Sequence, residues 1–430
     1  MSSLTSRRIL RDRMSGRSPL VAALDIGSSK IACLIARRTD MENGQVRVCG
    51  AGHQSSKGVR RGAVVDMGAL ERSIRLAVEQ AERAAEARVT DVIVGVSGPD
   101  IESEIITADV PVVGREITPY MMRDAMSAAV EGFSRPGREL LHATTLGFAV
   151  DGSPGVKDPV GMIANTLTAR CLAVSGPEVS MRNIAQCVSR AHLNPVAMVA
   201  APYASGLAVL VEDELEQGAT VIDMGGGVTS LACFYENTLI HQDYLLVGGS
   251  RASSDLAQGL GSTFAAAERL KTLYGAVTLT DIAGFDMVDA PRLGEDGRLE
   301  ASQASRSEIA AMLRPRVEEI LELLELRLSR ASARGRPLPR RIVLTGGACQ
   351  LPGTREVAEA VFRAPVRMAR PTRISGMGEA FETPAFATAA GLLKWDMAGA
   401  TGAVSSSFSL KPSEPVSMFS RAASWIREYF

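Results

Sequence analysis

Two short stretches concentrate the residue types that handle anions. "ALDIGSSK" (23–30) and "VIDMGGGVTS" (221–230) each run from an apolar segment through an aspartate into a turn almost free of side chains. Such a turn leaves main-chain N–H groups open to an anion, and a carboxylate beside it can organise the counter-cation. Gly27, Ser28, Ser29, Gly225, Gly226 and Gly227 are the candidate N–H donors, while Ser28, Ser29 and Thr229 add hydroxyls and Lys30 a point charge. Neither turn opens a helix, so these are not Walker loops, which seat phosphates on a helix N-terminus. Two facing strand-turn-strand hairpins would instead clamp a polyphosphate from both sides. Asp25 and Asp223 would then hold a hydrated Mg²⁺, an ion that takes few carboxylates and keeps several waters. A third element, Thr345-Gly346-Gly347 after "RIVL", permits close main-chain contact with a nucleobase or an α-phosphate. One such hairpin alone is an ordinary turn; the ordered set of three carries the signal.

The surrounding pattern supplies elements to hold these turns. "PLVAALDIGSSKIACLIARR" reads as strand, tight turn and strand, because both flanks are short, apolar and without helical spacing, and "QVRVCGAGHQ" continues as a strand. Residues 69–87 place Leu70, Ile74, Ala77, Val78, Ala81 and Ala85 on one helix face, and "DVIVGVSG" returns to a strand. Residues 101–175 change character and read as a small α+β insertion, with a helix beginning near "TPYMMRDAM" in which Met121 and Met122 serve packing. A helix over 177–195 leads to the second hairpin. The block 246–339 reads as helix-rich, and Ile309, Leu313, Val317, Ile320, Leu324 and Leu328 share one face of the segment 308–330. "TPAFATAAGLLKW" is a helix of small residues, and 396–416 lacks periodicity and reads as a linker. Gly248 and Gly249 precede a helix, which suits either a simple turn or a place near the phosphates.

Composition narrows the function classes. The chain has 430 residues, 46% apolar and 22% charged, and a formal net charge of −1, so no global field points to nucleic acid. Six cysteines lie far apart with no C-x-x-C pair, which argues against a metal site or disulfide framework and suits a reducing cytoplasm. His53, His142, His192 and His241 form no cluster and read as structural or surface groups. No signal-peptide core and no apolar run of ~18 residues is present, so membrane contact is expected to be peripheral.

In their order, "LDIGSSK", "VIDMGGGVTS", "AERLK" and "VLTGGACQLPG" resemble the actin-like ATPase superfamily. "KGVRRGAVVDM", "DVIVGVSGPDIES", "KDPVGM" and "RIVLTGGACQLPG", with the insertion and an amphipathic tail, are more closely similar to the FtsA family of bacterial cell division. The resemblance implies an α/β, actin-like two-lobed ATPase fold with an α+β insertion subdomain (1C) and a C-terminal amphipathic helix. It divides the chain into a basic arm (1–18), subdomain 1A (19–100 with 176–208 and 372–395), subdomain 1C (101–175), subdomain 2A (209–245 with 340–371), subdomain 2B (246–339), the linker and a membrane-targeting helix (417–430). It implies ATP and Mg²⁺ as cofactors, with Asp25, Gly27, Ser28, Ser29, Lys30, Asp223, Gly225, Gly226, Gly227 and Thr229 at the phosphates and metal. By the same carry-over Glu268 and Lys271 contact ribose and adenine, and Gly346 and Gly347 close over the nucleoside. On spacing alone the Glu268–Lys271 pair is a solvated helix face. One departure bears on turnover: where hydrolysing relatives carry a water-positioning carboxylate, this chain reads "AAPYAS", with Ala201 and Pro202. Binding with weak or no hydrolysis is therefore expected, with Asp223 as the one candidate to act on water.

The resemblance also implies self-association into filaments, recruitment of the FtsZ C-terminal peptide through subdomain 2B, and contacts with other division proteins through subdomain 1C. The place implied is the cytoplasmic face of the inner membrane at the septum. An actin homologue of pilus assembly, of the PilM type, is the alternative; it shares the insertion and would lack a lipid-binding tail, whereas a small-molecule kinase would require a catalytic base and an acceptor pocket. In the tail "MFSRAASWIREYF" (418–430), Met418, Ala422, Trp425, Ile426 and Tyr429 fall on one helical stripe that Phe419, Ala423 and Phe430 widen. Aromatic residues beside arginines at the end of a linker suit a lipid headgroup boundary.

Overall fold

A computed structural model of the chain describes residues 20–40, 45–278, 286–333, 338–372, 374–398 and 404–405. The basic arm and the amphipathic tail lie outside the described residues. Strands β1 (Leu20–Ile26), β2 (Lys30–Asp40) and β3 (Gln45–Ser55) form an antiparallel meander. Helix α1 (Met67–Ala85) begins where the Asp66 carboxylate accepts the Ala69 N–H at 2.9 Å, and buries Leu70, Ile74, Ala77, Val78 and Ala81. Burying each of the larger of these side chains contributes about 1.5–3 kcal/mol, far more than helix propensity does. The chain returns in β4 (Asp91–Val96), parallel to β1.

The insertion follows as β5 (Glu102–Glu116), α2 (Pro119–Glu131), β6 (Arg138–Val150) and β7 (Ile163–Pro177), an antiparallel sheet with β7 in the centre. Its own core joins Val112, Ile117, Ala125, Phe148 and Leu167, with Met121 and Met122 packed against it. Helix α3 (Glu178–Arg190) and β8 (Asn194–Ala200), parallel to β4, complete a first sheet in the order β8-β4-β1-β2-β3. Helix α4 (Ala201–Val209) is apolar all round and buried, as a helix between two lobes must be. After α5 (Glu212–Gln217), the second lobe repeats the plan: β9 (Ala219–Met224), β10 (Thr229–Tyr235) and β11 (Thr238–Leu245) form a meander.

Helices α6 (Gly249–Gly259), α7 (Phe264–Tyr274) and α8 (Arg306–Ala333) come next, and α8 buries all six residues expected on its apolar face. Short strand pairs, Met287–Asp289 with Gln303–Ser305 and Arg292–Leu293 with Leu299–Glu300, lie within this helix-rich block. The Asp296-Gly297 turn, with Gly297 at φ 75°, explains them: it folds the chain back as a hairpin. Strand β12 (Ile342–Thr345), α9 (Thr354–Phe362) and β13 (Val366–Met368) complete a second sheet in the order β11-β10-β9-β12-β13. The two sheets share strand order and strand directions. Asp25 therefore stands opposite Ala32 and Gly95 in one, and Asp223 opposite Ser230 and Thr345 in the other.

Helix α10 (Ala387–Ala398) returns to the first lobe. It extends beyond residue 395, and the Asp396 carboxylate pairs with the Arg38 guanidinium at 2.6 Å, so the start of the expected linker is folded. Val404 and Ser405 pair antiparallel with Ala143 and His142 on β6, a strand contact that aperiodic sequence does not disclose. Among the described residues, no helix is long and apolar enough to cross a membrane.

Candidate functional site

The β1–β2 and β9–β10 turns meet across a cleft between the lobes. Each closes in the same way: the Gly27 N–H donates to the Lys30 carbonyl and the Gly225 N–H to the Val228 carbonyl, both at 3.0 Å. These two amides, expected as ligand donors, are thus committed inside the protein. The next two in each turn, those of Ser28 and Ser29 and of Gly226 and Gly227, make no hydrogen bond among the described residues. A Cβ on Gly226 would lie 2.6 Å from Ser29 Oγ, and one on Gly227 2.6 Å from Ser28 Oγ, so any side chain there would force the turns apart. Thr229 is placed elsewhere. It is fully buried, outside the cleft lining, and its hydroxyl donates to the Val247 carbonyl at 2.8 Å, bracing the hairpin. The start of α6 braces the second turn, because the Gly249 and Ser250 N–H groups donate to the Gly225 and Gly226 carbonyls at 3.0 and 2.8 Å.

Asp25 and Asp223 lie on the cleft floor and keep some solvent contact. Burial pushes the Asp25 carboxyl up to about 7; the Lys30 ammonium works against that rise and the Asp223 charge adds to it. Asp223 is also raised by burial, although hydrogen bonds from Ser205 and Thr388 and the Lys30 charge oppose the rise. The Ser205 hydroxyl and the Thr388 hydroxyl, the latter at 3.2 Å, donate to Asp223 Oδ2, and the two hydroxyl oxygens lie 2.9 Å apart. Lys30 is lowered to about 8, chiefly by burial; its Nζ donates to the Ala385 carbonyl and stands 3.4 Å above the centre of the Phe386 ring. Two carboxylates thus share one lysine in a desolvated place, an arrangement short of positive charge.

The cleft has a volume of about 460 Å³. At its other end α6 and α7 present Lys271, whose Nζ donates to Glu268 Oε2 at 2.9 Å, Ser253 Oγ at 2.8 Å and the Gly249 carbonyl at 3.1 Å. Val317, Ile320 and Leu351 add an apolar wall there, and Gly346 and Gly347 line the same cavity. Gly346 has φ 89°, and a Cβ on it would fall 2.3 Å from Asp223 Oδ1, so only glycine brings the third turn against the second aspartate. Ala201 also lines the cleft, at the first turn of α4, and offers a methyl group with no carboxylate. Sequence reasoning missed Ser97, Ser205 and Thr388. Serines and threonines in apolar segments give no local signal of the partner they reach.

None of the four histidines lines the cleft. His142 is fully buried, stacked on Tyr203 with ring centres 5.0 Å apart, and neither ring nitrogen has a hydrogen-bond partner among the described residues. His53 packs edge-on against Phe381 and Phe386.

Comparison with known proteins places these features in a family. A family model described as "Cell division protein FtsA" matches residues 220–391, and one described as "SHS2 domain inserted in FTSA" matches residues 98–175, which coincides with the insertion. The cell division protein FtsA of Agrobacterium fabrum is 40% identical over 392 residues, covering 89% of this chain and 88% of that protein. That of Rhizobium meliloti is 38% identical over 432 residues, covering 98% and 97%. Among solved structures, a PilM-PilN type IV pilus biogenesis complex superposes with a TM-score of 0.60 at 17% identity, covering 88% of this chain and 98% of that one. MreB5 of Spiroplasma citri bound to ADP superposes with a TM-score of 0.52 at 12% identity, covering 88% and 96%. At such identities the likeness speaks for the fold, which is the actin-like α/β fold with an inserted SHS2 domain.

Proposed function

The chain belongs to the FtsA family of bacterial cell division proteins, and on that premise we propose that it is an ATP-binding switch of the division machinery. The observation that carries this reading is the pair of facing turns with four amides unpartnered among the described residues, above two desolvated carboxylates. Polyphosphate oxygens would accept from Ser28, Ser29, Gly226 and Gly227, and a hydrated Mg²⁺ held by Asp25 and Asp223 would supply the missing positive charge. Glu268, Lys271, Gly346 and Gly347, with the apolar wall of Val317, Ile320 and Leu351, would take the nucleoside. The presence of ADP in the solved MreB5 supports a nucleotide in a cleft of this fold. Ala201 offers nothing to orient a water, so hydrolysis is proposed to be weak or absent.

The remaining parts of the reading rest on the family. The protein would polymerise head to tail, since a contact between different faces of successive copies does not close on itself. It would gather FtsZ through the α6–α8 lobe and other division proteins through the insertion, at the inner membrane's cytoplasmic face. Residues 418–430 would be its reversible lipid anchor, multiplied by avidity along a filament. The likeness to PilM is one of fold alone and gives the pilus alternative no further support.

The nucleotide part is tested by titrating the full chain with ATP at several Mg²⁺ concentrations. Asp223→Ala should lose at least about tenfold in affinity, and only where Mg²⁺ is present, because it removes the ion's organiser. Equal binding by parent and variant would overturn the assignment.

A further inference from the structure

Residues 56–66 connect β3 to α1, and the stretch 56–62 is wedged against three of the cleft's turns. The Ser56 N–H donates to the Ser29 carbonyl, and the Gly62 N–H to the Ser28 hydroxyl oxygen, both at 3.0 Å. A Cβ on Gly227 would lie 3.2 Å from the Arg61 nitrogen, which places the loop against the second hairpin as well. A Cβ on Gly62 would fall 2.2 Å from the Ser97 carbonyl oxygen, at the turn that follows β4. Val59–Arg60 and Ala63–Val64 pair as a minimal hairpin whose two tip residues, Arg61 and Gly62, have φ 50° and 77°. That is the turn in which asparagine, aspartate or glycine is favoured at the first tip position, and an arginine held there costs energy. Lys57, Arg60 and Arg61 are all exposed, and their side chains have no ion pair or hydrogen bond among the described residues. Lys57, Arg60 and Arg61 thus put three cations on the loop packed against these turns; none of the three is among the residues that line the cleft, and the Arg61 side chain would reach a ligand there by turning inward.

From this placement we infer that Arg61 binds the terminal phosphate of a nucleoside triphosphate, so that the loop distinguishes triphosphate from diphosphate. The inference rests on the nucleotide reading above. Because Ser28 Oγ accepts from the Gly62 N–H, its own proton is left to donate into the cleft, and the hairpin tip is tied to the group that meets the phosphates. A guanidinium matches phosphate oxygens with two parallel donors, and the shortfall of positive charge on the cleft floor grows with each phosphate added. A diphosphate lacks the group that Arg61 would meet and would leave its guanidinium without that partner.

The test uses the full chain, titrated with Mg-ATP, a non-hydrolysable ATP analogue and Mg-ADP. Arg61→Asn removes the charge and supplies a residue favoured at the turn, so the fold is preserved; a second variant, Arg61→Gly, serves if it is not. Either should weaken both triphosphates about 10- to 100-fold, the effect of one lost charge-assisted contact, and leave ADP within about twofold. Arg60→Ala should change neither nucleotide by more than about twofold, and Arg61→Lys should recover part of the loss. Equal loss for ATP and ADP, no loss for either, or a loss confined to Arg60→Ala overturns the inference. A parent chain that binds neither nucleotide overturns the nucleotide reading itself, and this proposal with it.

Discussion

Replacing Asp25 with asparagine separates what the cleft floor costs from what it does. Burial raises this carboxyl from its ordinary 3.8 to about 7. A group whose folded value lies above its unfolded value contributes stability that is complete below the unfolded value and is lost as pH rises through the folded one. Nucleotide-free parent protein should therefore weaken between about pH 4 and pH 7, where the unfolded chain has released this proton and the folded chain has not. The displacement of about three units corresponds to about 4 kcal/mol at most. Asp25 keeps some solvent exposure, and Lys30 loses a favourable neighbour in the variant, so about half of that is the working magnitude. The replacing asparagine has nearly the same shape and does not titrate. Urea midpoints of the free protein at pH 5, 6, 7 and 8 should show Asp25→Asn gaining on the parent as pH rises, by about 2 kcal/mol at pH 8. Addition of Mg-ATP at pH 8 should then raise the parent's melting temperature and leave the variant's unchanged, since the group that burdens the free protein is the one that would hold the cation. A gain that does not vary with pH, or a variant less stable than the parent at pH 8, would show that the carboxylate is not held unfavourably.

Two further outcomes follow from named groups. Burial lowers His142 to about 3, so the folded protein keeps it neutral while the unfolded chain protonates it; the stability is present above about 6.5 and lost as pH falls toward 3. His142→Phe keeps the stack on Tyr203, and between pH 7.5 and 5 it should lose about 2 kcal/mol less than the parent in urea unfolding; identical losses would contradict this. Trp425→Glu, or removal of residues from Met418 onward, should release the protein from anionic vesicles in a flotation assay while ATP binding survives, and undiminished flotation would rule out the tail as anchor.

The sequence alone determined the chemical types of the site and the local shapes that carry them. Asp-x-Gly after an apolar run fixes a strand entering a turn with open amides, and the three- and four-residue spacing of Leu70–Ala81 and Ile309–Leu328 fixes the buried faces of α1 and α8. These features are legible because they depend on neighbours a few residues away. Which of those groups remain free, and what they meet, depends on how the two lobes pack. Asp25 and Asp223 share one floor because two sheets of the same topology face each other. Asp223 is held by Ser205 and Thr388, whose partner lies 18 and 165 positions distant. Gly27, Gly225 and Thr229 close their own hairpins, while the amides of Ser28, Ser29, Gly226 and Gly227 stay open among the described residues. Arg61 comes to rest beside Gly227 only when the lobes have closed on each other. A hydrogen-bonding group takes whichever partner the packed chain brings within about 3 Å, and local pattern cannot specify that choice because the competing partners are set by strand order and lobe closure.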